Sequence, residues 1–91
     1  MNDKERQEKN VANIKDLITK IMEFYVALDR RDIIQRKIVE NFVNDIKAKS
    51  LTFKDLRVRI EKGLKNAKTN ATKATLAQLY NIIGKHYENV E

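Results

Sequence analysis

Val11, Ile14, Ile18, Ile21, Tyr25 and Leu28 recur at three- and four-residue spacing, and Leu17, Met22 and Val26 widen the stripe they draw. That period winds onto one face of an amphipathic helix and predicts a first helix from about residue 8 to 28, with residues 1–7 frayed. The register then fails. Its next positions are Asp32 and Gln35, while Ile34, Ile38, Val39, Phe42, Val43 and Ile46 open a new and broad apolar face. A break across 29–32 follows, with Asp29 or Asp32 able to accept the first unpaired amide hydrogens of a second helix.

The third helix carries the clearest local chemistry. Thr52 can cap it, Asp55 lies three residues on to return the hydrogen bond, and Leu51 ahead of the cap is placed to pack on Leu56 as a hydrophobic staple. The helix is therefore expected to start at Phe53 and to present Phe53, Leu56, Ile60, Leu64 and Ala67 as a narrow stripe, with Gly63 at its edge permitting close backbone approach. Lys68, Thr69, Asn70 and Ala71 read as a short loop. Asn70 is expected to turn left-handed and stop the third helix, and Thr72 to cap a fourth. Leu76, Leu79, Tyr80, Ile83, Tyr87 and Val90 carry that last helix almost to the end of the sequence.

Short connections force consecutive helices side by side, so the expected fold is all-α, an antiparallel four-helix bundle forming a single domain over 1–91. The first two helices have the widest apolar faces and are expected to be the most enclosed, with the third touching the core along a thin line. Composition agrees: no proline, two glycines, 35% charged and 42% apolar residues favour helices over disorder or a β fold. The amino terminus is polar, without an apolar leader core, and no run reaches the roughly 18 apolar residues of a membrane span. The expected location is the cytosol, either free or peripheral to the inner face of the membrane.

Charge changes the picture more than composition does. Between Lys47 and Lys73 nine basic residues face only Asp55 and Glu61, so this segment carries more than the whole net charge of +6. Wound at about 100° per residue, Lys54, Arg57, Lys62, Lys65 and Lys68 fall on one flank of the third helix, with Val58 among them and Glu61 interrupting. Such a flank suits an anionic partner: nucleic acid, through its phosphates, or an anionic membrane surface. It is also the ordinary solvated face of a small basic domain. No aromatic residues interleave with the basic ones, and the connector before the helix lacks the glycine common in helix-turn-helix motifs.

Catalytic and metal chemistry find little support. His86 is the only histidine, beside the Leu79 and Ile83 edge of the fourth helix, and there is no cysteine. A zinc site or a nucleophile–base pair draws on more of these groups, so neither enzyme activity nor a metal or cofactor is expected.

The order of elements carries a resemblance. A first helix is followed by the turn Asp29-Arg30-Arg31-Asp32, an apolar second helix through Ile38 and Phe42, and a lysine-bearing connector to Leu51. The third helix Leu56-Arg57-Val58-Arg59-Ile60-Glu61-Lys62-Gly63-Leu64 comes next, then a polar loop and Leu76-Ala77-Gln78-Leu79-Tyr80-Asn81-Ile82-Ile83. From Leu28 to Tyr87 this arrangement resembles the immunity proteins that protect lactic acid bacteria and streptococci from pediocin-like and related non-lantibiotic bacteriocins. The resemblance implies a non-enzymatic bundle that binds, from inside the cell, a membrane receptor already engaged by bacteriocin. In that family the receptor is typically the mannose phosphotransferase permease. It also implies that discrimination between bacteriocins resides in the carboxyl-terminal part, here Tyr80, Ile83, Lys85, His86 and Tyr87. Outside the resemblance, the alternatives are a small basic nucleic-acid-binding protein of plasmid, phage or regulatory context and a helical protein–protein adaptor.

Overall fold

Asn13 stands in the left-handed conformation (φ 50°, ψ 52°), which a short polar side chain tolerates, and helical hydrogen bonding begins directly after it: the Leu17 N–H donates to the Asn13 carbonyl at 3.1 Å. The structure, a computed structural model, describes residues 13–49 and 51–88. These form α1 (Ile14–Ala27), α2 (Ile33–Ala48), α3 (Phe53–Asn66) and α4 (Asn70–Glu88). One uninterrupted helix from residue 8 would need a right-handed Asn13, so the expected first helix is shortened at its start. The expected fraying of 1–7 and the place of Val11 lie outside the described residues, as does Val90.

Each boundary has a local cause. Leu28 ends α1 in an extended conformation. Of the two candidate aspartates, Asp32 caps α2 by accepting from the Gln35 N–H at 3.4 Å, whereas Asp29 shapes the turn by accepting from the Arg31 N–H at 2.8 Å. At α3 the capping box forms: the Thr52 N–H donates to Asp55 Oδ2 at 2.9 Å and the Asp55 N–H to Thr52 Oγ1 at 3.1 Å. Leu51 is half-buried against the core beside it.

The next boundary departs from expectation. Ala67, extended at φ −66° and ψ 131°, ends α3, and Asn70 is already the first residue of α4 rather than a left-handed stop. The cap of α4 is Thr69, whose hydroxyl accepts from the Thr72 N–H at 3.2 Å, three residues ahead of the expected Thr72. The Thr72 hydroxyl instead receives hydrogen bonds from Thr69 Oγ1 at 3.0 Å and from Gln35 Nε2 at 3.1 Å.

The capping box gives a pH dependence. Accepting the Thr52 N–H holds the Asp55 carboxyl below its ordinary value of 3.8. A lowered folded-state value means the contribution of Asp55 is complete above 3.8 and is lost as pH falls through the lower folded value. Thermal melting followed down an acid series should show Asp55→Asn lacking this portion of the acid loss. Parallel acid curves for the two proteins would remove Asp55 from the cap.

Cross-helix pairs establish the topology. His86 Nδ1 lies 3.6 Å from Asp16 Oδ2, placing the end of α4 beside the start of α1. The rings of Phe53 and Tyr87 meet edge to face at 4.7 Å, bringing the start of α3 to that same end. The Gln35–Thr72 hydrogen bond puts the start of α2 beside the start of α4 at the opposite end. The helices therefore run alternately up and down, an antiparallel four-helix bundle.

The bundle is skewed. α4 packs against α1, α2 and α3, while no Cα of α2 comes within 8 Å of one in α3. The two are instead joined through side chains: Arg59 pairs with Asp45, and its guanidinium carbon lies 5.2 Å from the centroid of the Phe42 ring. Leu17, Ile21, Val39, Phe42, Leu56, Ile60, Leu79 and Ile83 form the middle of the core. α3 touches that core along Phe53, Leu56 and Ile60, as expected. α1 is less enclosed than expected, with only Leu17 and Ile21 buried, and the helix in contact with all the others is α4. Val26 and Ile34, read from the pattern as core-facing, are 75% and 69% exposed, because at about 100° per residue Val26 falls on the far side of α1 from Leu17 and Ile21, and Ile34 on the far side of α2 from Val39 and Val43. A polar tie joins the two helices: the Tyr25 hydroxyl donates to Glu40, and the Arg36 guanidinium lies over the Tyr25 ring at 4.2 Å and reaches the Leu28 carbonyl at 3.4 Å.

Candidate functional site

α3 meets the core along Phe53, Leu56 and Ile60, with Leu64 packed against it, and this narrow contact leaves the basic flank exposed to solvent. Lys54, Lys62 and Lys65 are exposed along it, as is Glu61, while Val58 is 38% exposed. Lys54, Arg57, Val58 and Glu61 border a shallow depression of about 190 Å³. Lys68 does not belong to the flank: α3 ends at Asn66, and Lys68 turns to the other side of the helix. There it borders the gap between α2 and α3, a half-open groove of about 340 Å³ floored by Ile38, Phe42, Ile60 and Leu76, with Arg59 on the rim.

Arg57 is half-buried because its guanidinium carbon lies 5.8 Å from the centroid of the Tyr80 ring on α4. This contact joins two sets of residues that are separate in the sequence, the basic flank of α3 and the carboxyl-terminal set of α4. About 100° per residue also places Tyr87, seven residues after Tyr80, on the same edge of α4, where it packs on Phe53. Tyr80 and Tyr87 are both half-buried, so each offers one side to solvent and one to the core.

The remaining candidates separate from this edge. Lys85 is exposed on a different flank of α4. Ile83 and His86, 1% and 2% exposed, are interior residues and offer no surface to a partner. His86 lies with its ring centroid 6.0 Å from that of Phe53 and its Nδ1 near Asp16. Its inclusion in the core escapes sequence reasoning because a histidine beside an apolar stripe reads as a boundary residue. The surface that geometry assembles is therefore Lys54, Arg57, Val58, Lys62 and Tyr80, with Tyr87 toward the base of the bundle.

Two features went unread in the sequence. One is the Asp45–Arg59 pair across the α2–α3 gap. The other is the cluster of exposed aliphatics near the α1–α2 turn, Val26, Ile33 and Ile34. The register of α2 held the clue, since about 100° per residue sets Ile33 and Ile34 on either side of its outer face, away from the buried line of Val39, Phe42, Val43 and Ile46.

Among the described residues no group of three or more His, Asp or Glu is placed to hold a metal ion, and no helix is long and apolar enough to cross a membrane. The surface chemistry is that of charge, aromatic edge and one exposed valine, which can bind but holds no nucleophile–base arrangement. The chain matches no family model, no curated protein and no solved structure.

Proposed function

We propose that the protein confers immunity to a bacteriocin by binding a bacteriocin-engaged membrane receptor from the cytosolic side. The observation that carries this reading is the meeting of Arg57 and Tyr80, which makes one continuous surface of the basic third helix and the Leu-Tyr segment of the fourth. Those are the elements on which the resemblance to the immunity proteins rests. The up-down-up-down bundle is the architecture that resemblance implies, and a rigid helical edge with an aromatic and an arginine is the kind of surface in which interface energy concentrates. The receptor class follows from the resemblance: a sugar-transporting permease of the mannose phosphotransferase type.

Expression of the chain in a bacteriocin-sensitive lactic acid bacterium or streptococcus should raise resistance to one bacteriocin, or a few related ones, while the peptide in the medium stays intact. Arg57→Glu and Lys54→Glu, on the Arg57–Tyr80 surface, should each weaken protection more than Lys15→Glu, with folding checked by circular dichroism. The exposed flank of α3 also favours a second reading, in which the same cations take nucleic acid phosphates. Tight oligonucleotide binding at physiological salt, weakening with a logarithmic slope of about −0.7 to −0.9 per phosphate neutralised, would replace immunity with that reading. Folded protein that resists no bacteriocin of a broad panel would end the immunity reading.

A further inference from the structure

At the end of the bundle that carries the α1–α2 turn, three aliphatic side chains stand in water: Val26 and Ile33 are each 75% exposed and Ile34 is 69% exposed. Single exposed aliphatics are common, but three β-branched ones on the two helix ends that flank one turn give this end of the bundle an apolar character. The Gln35–Thr72 hydrogen bond brings the start of α4, and with it the end of α3, to this same end. The cations collected there are Arg30, Arg31, Lys37, Lys65, Lys68 and Lys73, all exposed. Three carboxylates stand among them: Glu23 is exposed one turn before Val26, Asp29 accepts from the Arg31 backbone and side chain, which lowers its pKa, and Asp32 is engaged in capping α2, so cations still outnumber carboxylates at this end.

We propose that this end of the bundle docks on an anionic lipid bilayer, with Val26, Ile33 and Ile34 entering the headgroup layer and the surrounding lysines and arginines meeting lipid phosphates. Charge complementarity chooses the occupant. A second copy of the chain would set the same cationic rim against itself across an isologous contact. Nucleic acid would meet the cations but leave the aliphatics with nothing to bury against, since phosphate contact uses charge alone and base stacking needs aromatic faces. A bilayer with anionic headgroups satisfies both parts at once: apolar side chains reach the acyl boundary while flexible basic stems keep their charges among the phosphates. These aliphatics lie away from the Phe53–Tyr87 end and are not on the Arg57–Tyr80 edge, so this proposal stands without the immunity reading.

Flotation of the full chain with phosphatidylcholine vesicles, with and without phosphatidylglycerol, tests it. Binding should be at least about tenfold stronger to the vesicles containing the anionic lipid and should weaken as salt is raised. The double change Ile33→Ser and Ile34→Ser should reduce that binding by about tenfold or more while leaving the melting curve in place, because neither side chain is in the core. The triple change Lys54→Gln, Arg57→Gln and Lys62→Gln, on the α3 flank, should leave it within about threefold. The sequence has no tryptophan, so Ile34→Trp supplies a single fluorophore, whose emission should shift to the blue on anionic vesicles. No binding to anionic vesicles would overturn the proposal, and an acidic protein would then be the occupant to seek. Binding that survives the double serine change, or that disappears with the α3 triple change, would overturn it equally.

Discussion

Leu56→Ala should destabilise the fold by about 2–5 kcal/mol, read as a shift of the denaturant midpoint with the slope unchanged. Leu56 is 0% exposed and lies one turn into α3, where the capping box fixes the direction in which the helix enters the core. Truncation removes the transfer energy of the buried atoms and leaves a void that Phe42, Ile60 and Leu79, held on three different helices, cannot all move to fill. A domain of this size has a total stability of about 5–15 kcal/mol, so the variant should be partly unfolded at modest denaturant. Thr52→Ala, which removes the cap and leaves the core intact, should cost only about 1 kcal/mol. A loss of a few tenths for Leu56→Ala would mean that α3 is not seated as described.

The two glycines should respond in opposite directions. An added Cβ at Gly63 would lie 3.0 Å from Leu76 Cδ1, and at Gly84 it would meet nothing within 4 Å. Gly84→Ala should therefore stabilise the protein by about 0.5–1 kcal/mol, by removing the entropy that a mid-helix glycine loses on folding. Gly63→Val should destabilise it by about 1–3 kcal/mol, because its branched side chain must displace Leu76 from the α3–α4 contact. Thermal melts of the two variants give the comparison directly. A stabilising Gly63→Val would show that the close approach of α3 to α4 is not required.

What could be read from the sequence was what neighbouring residues decide among themselves. The Thr52–Asp55 box, the break after Leu28 and the start of α3 at Phe53 depend on groups within a few positions of each other, and all form as expected. The loop before α4 was harder, because Thr69, Asn70 and Thr72 each suit a helix terminus and the choice among them depends on Gln35, far away in the chain. The enclosure of α4 and the exposure of Val26 and Ile34 were not legible for a related reason. An apolar stripe says which side of a helix avoids water, but the width of the stripe does not say which neighbours arrive to cover it. The candidate surface divides in the same way. The basic flank could be drawn from helical periodicity, whereas its junction with Tyr80 and the loss of Ile83 and His86 to the interior required the packing of α3 on α4.

The wide gap between α2 and α3 bears on how the chain assembles. α1 meets α2 across the turn 28–32, and α3 meets α4 across 67–69, so much of the packing is made between helices adjacent in the chain. A bundle built from such local pairings closes its loops at low entropic cost and belongs among the fast folders, on the microsecond-to-millisecond scale. Two helical hairpins are then the natural early structures, and the laying of α4 against α1 and α2 is the event that unites them. The Asp45–Arg59 pair bridges the gap between those two hairpins. With both side chains about a third exposed, this bridge contributes only about 0–1 kcal/mol, so the union of the two hairpins rests on the apolar face of α4 and not on charge.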